Sequence, residues 1–172
     1  NWVVGLALMA LIIIGGLGFT VWDDIIQNIK EKKKLRNLTL HTKIVLAITT
    51  ALLISGMIFT FLLEKDNLHT MGKDVLGTKI LKSAFQSTTL RTAGFYSIPQ
   101  SELTSVSKLL SICLMFIGGS PASTAGGIKT VTLGVIILLV INYIKGRQEI
   151  NIFSRKISTN AINRAIVVIS IS

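Results

Sequence analysis

The chain has 172 residues, of which 50% are hydrophobic and 15% are charged, and its mean hydropathy is +0.66. Soluble domains carry about 25% charged residues, so this composition argues against a soluble enzyme. The 18 Lys and Arg outnumber the 8 Asp and Glu, which gives a net charge of +10. Because the cations lie between long uncharged runs, we interpret them as loop charges of a multi-pass membrane protein and not as a nucleic-acid-binding surface.

Both ends of the sequence fall within apolar runs. Trp2 opens the first run with no charged segment before it, which is not typical of a signal peptide. Residues 165–172 open a new apolar run at the other end. We therefore expect the sequence to be an internal piece of a longer membrane protein.

Two uncharged runs in the first third of the chain are long enough to cross a membrane. Residues 2–22 and 44–63 hold 21 and 20 residues without a charge, and about 20 residues suffice for a spanning helix. Between them lies the most basic stretch, which the positive-inside rule places in the cytoplasm. We predict a helix within 1–29 that Asp23 and Asp24 end, a basic cytoplasmic loop over 30–43, and a helix over 44–63.

The apolar stretch 109–144 is interrupted by Gly, Ser and Pro at 118–127. One continuous helix of about 54 Å would be too long for one crossing of a ~30 Å core. Two crossings would put the basic residues of 145–156 outside, against the positive-inside rule. We therefore predict one crossing, 103–145, made of two half-helices joined inside the membrane. Irregular backbone at that depth needs cover by protein or water, which points to a pore or cavity.

A short apolar face near Ile80 is too short to span the membrane. Because the flanking helices require this segment to enter and leave on the same side, we predict a re-entrant hairpin. It follows an extracellular loop over 64–77 and consists of a pore helix and an extended strand over 78–95. Backbone carbonyls of such a strand can replace the hydration shell of a monovalent cation. Gly94 lets the backbone turn a carbonyl in an unusual direction; the alternative is a surface loop with a packing glycine.

Two motifs resemble one known family. Thr88-Thr89-Leu90-Arg91-Thr92-Ala93-Gly94-Phe95 is similar to the third pore-loop filter of the Trk/Ktr/HKT superfamily of potassium transporters. The stretch 119–130 is similar to the glycine-rich intramembrane loop of the third repeat, and Gly15-Gly16-Leu17-Gly18-Phe19 resembles the end of the last helix of the second repeat. Trk-type subunits tend to carry an arginine where this chain has Thr132, so the sequence is most similar to the Ktr-type membrane subunit.

The resemblance implies an all-α integral membrane protein in which four helix–pore loop–helix repeats surround one pore. The chain would then supply the last helix of repeat 2, all of repeat 3 and the start of repeat 4. The implied boundaries are 1–29 for the helix of repeat 2, 30–43 for the cytoplasmic loop, 44–145 for repeat 3, 146–163 for a cytoplasmic segment and 164–172 for repeat 4.

The resemblance also implies gated potassium transport at the plasma membrane. The implied partners are a second full-length subunit in a homodimer, a cytosolic nucleotide-binding regulatory ring and membrane lipid. No cofactor is expected in this chain beyond the transported potassium, and sodium dependence stays open. The alternatives are a sodium or mixed cation transporter of the same superfamily and a non-conducting membrane scaffold.

The site residues implied by the resemblance form two groups. The ion-binding filter residues are Thr92, Ala93, Gly94 and Phe95. The gate residues are Gly118, Gly119, Ser120, Ser123, Thr124, Gly126, Gly127 and Lys129.

Several other polar residues receive structural interpretations. Arg91 next to a cation filter would repel the ion, so we interpret it as a brace that hydrogen-bonds neighbouring backbone. Lys129 lies about 24 Å of helix away from Lys145, too far to reach the interface easily, so we expect a functional role. No metal-ligand spacing involves the histidines or the cysteine, so these are interpreted as structural: His41, His69 and Cys113. A phosphate-binding loop is disfavoured because Ile128 separates the glycines from Lys129 and no strand precedes them.

Overall fold

The computed structural model describes residues 2–32 and 37–145, together with the backbone of 151–152 and 155–156. The predicted cytoplasmic segment 146–163 and the predicted start of repeat 4, 164–172, otherwise lie outside the described residues. The helices, in chain order, are α1 (Trp2–Leu17), α2 (Phe19–Lys30), α3 (Leu40–Glu64), α4 (Leu76–Thr89), α5 (Ser105–Phe116) and α6 (Thr130–Ile144), with a 3₁₀ turn at Gln100–Glu102.

The predicted helical class is confirmed, with one small addition. Strands β1 (Asn151–Ile152) and β2 (Arg155–Lys156) pair antiparallel, with Asn151 opposite Lys156. The rest of the described secondary structure is helical, apart from an isolated bridge between Ile117 and Ile128.

One helix, α3, is long and apolar enough by itself to cross a membrane, with 25 residues. The pair α1 and α2 passes the same test only as one bent span. Helices α5 and α6 have 12 and 15 residues, so each covers only about 18–23 Å of a ~30 Å hydrocarbon core. The segment 117–129 separates them, where the sequence places the intramembrane break; their joint crossing stays a prediction.

The prediction of one helix within 1–29 is wrong, because α1 and α2 meet at 92°. Gly18 lies between them with a φ of 79°, a left-handed conformation that a continuing helix excludes and that glycine tolerates. Across the bend, the indole Nε1 of Trp22 donates to the carbonyl of Ile14 at 3.0 Å. Asp23 and Asp24 therefore lie inside α2 and do not end a helix.

The basic loop between α2 and α3 is shorter than the predicted 30–43. Helix α2 continues to Lys30, and α3 begins at Leu40. The side chain of Thr39 caps α3 by accepting from the amide of Thr42, and the Asp24 carboxylate accepts from the amide and hydroxyl of Thr39 at 3.0 and 2.8 Å. The middle of α2 is thus fixed to the beginning of α3.

Helix α4 packs closely on α3 through small and hydroxyl side chains. The Ser87 hydroxyl donates to the Leu53 carbonyl at 2.8 Å, and a methyl group on Gly56 would collide with Ser87. Ser83 and the run 85–89 are buried. Because this mostly polar side of α4 is buried, the helix has a fixed position. The start of the segment that follows the helix is therefore fixed as well.

The opposite end of α3 is organised by the carboxylate of Glu64, which is fully buried. Its Oε1 accepts from the amide and hydroxyl of Thr104, both at 2.9 Å. Its Oε2 accepts from Asn67 Nδ2 and Thr70 Oγ1, both at 2.7 Å. One carboxylate therefore fixes the loop after α3 and the N-cap residue of α5.

We expect Glu64→Gln to destabilise the protein by about 1–3 kcal/mol, because the amide NH₂ would face donors whichever way it turns. The matched control is Glu102→Gln, which makes the same change at a half-exposed carboxylate. Thermal unfolding of the purified protein measures the difference. Equal midpoints for the two variants would contradict the structural role of Glu64.

Candidate functional site

The predicted filter residues lie in a tight turn that follows α4, and not in the extended strand that the sequence predicts. Residues 90–95, which we call the filter turn, begin where the helix ends, and the Ala93 amide still donates to the Thr89 carbonyl at 3.1 Å. Thr92 and Gly94 have φ values of 64° and 79°. Left-handed backbone is costly for a β-branched residue such as Thr92, so other contacts must hold it.

The carbonyls of the filter turn differ in their partners. The Thr89 hydroxyl donates to the Phe95 carbonyl at 2.6 Å. No donor in the described ranges 2–32 and 37–145 engages the carbonyls of Thr92, Ala93 or Gly94. A methyl group on Gly94 would meet nothing within 4 Å, so the filter turn borders open space, and the left-handed φ is the reason that glycine suits this position.

The predicted gate residues form one compact loop, residues 117–129, which we call the glycine-rich loop. Its two ends are joined because the Gly118 amide donates to the Ile128 carbonyl and the Ile128 amide to the Phe116 carbonyl, each at 3.0 Å. A side chain on Gly127 would lie 2.9 Å from the Phe116 carbonyl, and Gly127 has a φ of 72°. These close approaches explain glycine at the neck of the loop.

The interior of the loop is held by its own polar groups. The Ser123 amide donates to the Ser120 carbonyl at 3.2 Å, and the Ser123 hydroxyl accepts from the Ala125 amide at 3.4 Å. The half-buried Lys129 donates from Nζ to the Ala125 carbonyl at 2.8 Å. Lys129 is thus directed onto the loop and not along α6.

Two hydrogen bonds join the filter turn to the glycine-rich loop. Arg91, which is only 8% exposed, donates from Nη2 to the Gly118 carbonyl at 3.1 Å. The Thr92 hydroxyl accepts from the Gly126 amide at 3.1 Å. Arg91 is a brace, as the sequence suggests, but its partner is 27 residues away and not neighbouring backbone. The residues around Arg91 and Gly118 in the sequence do not predict this pairing.

The loop is also bonded to the break between α1 and α2. The amides of Ser120 and Thr124 donate to the carbonyls of Gly16 and Gly15 at 3.0 and 3.4 Å. In return, the Phe19 amide donates to the Ala122 carbonyl at 3.2 Å. The sequence resemblance treats Gly15–Phe19 only as a helix end, so this contact is new information from the structure.

The histidines and the cysteine lie outside this arrangement. His69 Nδ1 is 4.0 Å from the Glu102 carboxylate, with both side chains exposed, and Cys113 is a free, exposed thiol. Among the described residues, no group of three His, Cys, Asp or Glu side chains could hold a metal ion.

A short helix with one buried side, an exposed turn with left-handed backbone and an irregular loop between two apolar helices lie side by side in this structure. Such an arrangement is typical of membrane proteins that move ions, in which irregular backbone lines a cavity. A family profile described as "TrkH: Cation transport protein" matches residues 1–170. This chain belongs to that family of cation transport proteins.

Individual relatives agree with the family. The chain is 41% identical to the potassium/sodium uptake protein NtpJ of Enterococcus hirae over 91% of this chain and 34% of the relative. It is 39% identical to the Ktr system potassium uptake protein B of Bacillus subtilis over 96% of this chain and 36% of the relative. It is 36% identical to the Ktr system potassium uptake protein B of Vibrio alginolyticus over 98% of this chain and 37% of the relative.

The fold has a counterpart among solved structures. The potassium transporter TrkH of Vibrio parahaemolyticus superposes with a TM-score of 0.78 at 16% identity, covering 99% of this chain and 36% of that one. The chain thus spans about a third of the length of the proteins it matches. The resemblance to the Trk and Ktr transporters is therefore confirmed at the level of the family.

We expect Thr92→Val to raise the exchange rate of the Gly126 amide roughly 2- to 10-fold, because the only change is the loss of one hydrogen-bond acceptor. Valine keeps the β-branched shape, and Thr92→Ser, which keeps the hydroxyl, should restore slow exchange. Hydrogen–deuterium exchange of peptides covering 118–128 measures the effect. Equal exchange in the valine and serine variants would show that this bond does not hold the loop.

Proposed function

We propose that this chain supplies one filter strand and the gate of a potassium transporter. The observation that carries the proposal is the filter turn, which presents the unengaged carbonyls of Thr92, Ala93 and Gly94 beside open space. Carbonyls in such a row can replace the water around a potassium ion. Phe95 completes the filter turn, and its carbonyl already accepts from the Thr89 hydroxyl.

The described chain offers only one such strand. We therefore infer that the complete filter is formed with the corresponding turns of other repeats of the full-length protein, which would face Gly94 across the open space. The names of the relatives support the cargo, since one is a potassium/sodium uptake protein and others are Ktr potassium uptake proteins. The first of these names supports a mixed potassium and sodium transporter as the second candidate function.

The glycine-rich loop is proposed as the gate. It is bonded directly to the filter turn by Arg91 and Thr92, so an ion leaving the filter on that side would meet it. The Lys129 ammonium on the Ala125 carbonyl adds a positive charge that repels a cation while the loop is in place. The proposed gate residues are Gly118, Gly119, Ser120, Ser123, Thr124, Gly126, Gly127 and Lys129.

The proposed setting is a homodimer of full-length subunits in the plasma membrane, with a cytosolic nucleotide-binding ring as regulator. The support is the similarity to proteins of the Ktr system and the excess of cations in the chain. A non-conducting scaffold is a weaker candidate, because helix association alone requires neither a left-handed Gly94 nor carbonyls facing open space.

We expect Gly94→Ser to reduce the preference for potassium over sodium roughly 5- to 30-fold, because a side chain at a φ of 79° strains the turn and reorients its carbonyls. Uptake of radioactive rubidium and sodium by liposomes that contain the full-length protein measures the preference.

The matched control is Gly77→Ser at the start of α4, where an added Cβ also meets nothing within 4 Å and where the glycine has no left-handed φ. It should leave the preference unchanged. Normal selectivity in the Gly94→Ser protein would refute the filter assignment.

A further inference from the structure

The break between α1 and α2 has an unusual set of hydrogen-bond partners. Ending a helix leaves the last four carbonyls of α1 and the first amides of α2 without partners in the helix. Here Ile14 receives the indole of Trp22, while Gly15 and Gly16 receive amides of the glycine-rich loop, and Phe19 donates to that loop. The loop therefore completes the backbone hydrogen bonding of a helix break that lies more than 100 residues before it in the sequence.

The fit is also steric. A methyl group on Gly18 would lie 2.6 Å from the Pro121 carbonyl oxygen and 3.0 Å from that of Ala122. Both contacts are with backbone, which cannot move aside as a flexible side chain can. Gly119 approaches the same place from the loop, since a Cβ there would lie 2.9 Å from the Gly16 carbonyl oxygen. Glycine on each side is what allows the two backbones to touch.

These contacts join two parts of the protein that the proposed function treats separately. One is the loop that blocks the ion path, and the other is the bent helix that leads to the basic segment. Helix α2 begins at this contact, and its middle is bonded to the residue before α3, where the Asp24 carboxylate accepts from Thr39. A movement of α2 would therefore be transmitted to the glycine-rich loop through Phe19, its first residue.

We propose that the α1–α2 break holds the glycine-rich loop in its closed position, with Gly15, Gly16, Gly18 and Phe19 as positioning residues of the gate. The inference rests on the proposed function, in which the loop is the gate. Opening then breaks the three backbone hydrogen bonds between the loop and the break, and the cytoplasmic end of α2 is the place from which a regulator would act on them.

The first test compares Gly18→Ala with Gly5→Ala in the full-length protein. Each adds one methyl group to a glycine of the bent pair α1 and α2, but at Gly5, which lies in α1 away from the break, the methyl meets nothing within 4 Å. Because the collision at Gly18 exists only while the loop is in place, we expect Gly18→Ala to raise rubidium uptake without a regulator roughly 5- to 30-fold. Gly5→Ala should leave it unchanged.

Uptake by the unsubstituted protein separates the two proposals. No rubidium uptake in that protein under activating conditions would refute the transport function itself. Uptake that is normal there and equal in Gly18→Ala and Gly5→Ala, or lower in Gly18→Ala, would overturn only the role of the break.

A second test applies even if Gly18→Ala does not fold. Phe19 and Ala122 are joined by a backbone hydrogen bond of 3.2 Å, which brings their main chains close enough for a disulfide between Phe19→Cys and Ala122→Cys. The other cysteines of the full-length protein, Cys113 included, are replaced by serine. We expect oxidation to form the cross-link and abolish uptake, and reduction to restore it. Uptake that continues in the cross-linked protein, or a pair that never cross-links, would contradict the proposal.

Discussion

One constraint organises this chain: irregular backbone inside a membrane protein must find its hydrogen-bond partners within the protein, because lipid offers none. The glycine-rich loop between α5 and α6 is such a backbone. Its amides are paired at the neck by Ile128, on one side by Thr92 and on the other by the α1–α2 break. These pairings fix where the loop lies, and in the proposed function that position closes the ion path.

The same pairings make three separate stretches of sequence into one unit. The filter turn reaches the loop through Arg91 and Thr92, and the helix break reaches it through backbone alone. Apart from the charged donors Arg91 and Lys129, the loop is held by neutral, mostly backbone hydrogen bonds. Each of these neutral bonds contributes only about 0.5–1.5 kcal/mol net, so they can be released at modest cost. That is suitable for a gate, and it explains why glycines and not large side chains line the contact.

Charge spacing and apolar length predicted the helix α3 and the break at 118–127 from the sequence, because membrane thickness limits each crossing. The resemblance to potassium transporters was needed to name the filter and gate residues. The bend at Gly18 was not predicted, because the length of an uncharged run indicates a spanning helix without showing whether that helix is straight. Glycines also occur in straight helices. The partner of Arg91 was not predicted, because the residues around Arg91 do not indicate a contact with Gly118, 27 residues away.

The central claim is that a permeating ion contacts the carbonyls of the filter turn next to a loop that closes the path. The most direct measurement is the anomalous scattering of rubidium in crystals of the full-length protein. We expect rubidium density at the carbonyls of Thr92, Ala93 and Gly94, with the glycine-rich loop adjacent to it. Rubidium bound elsewhere along the pore, with these carbonyls contacting no cation, would contradict the claim.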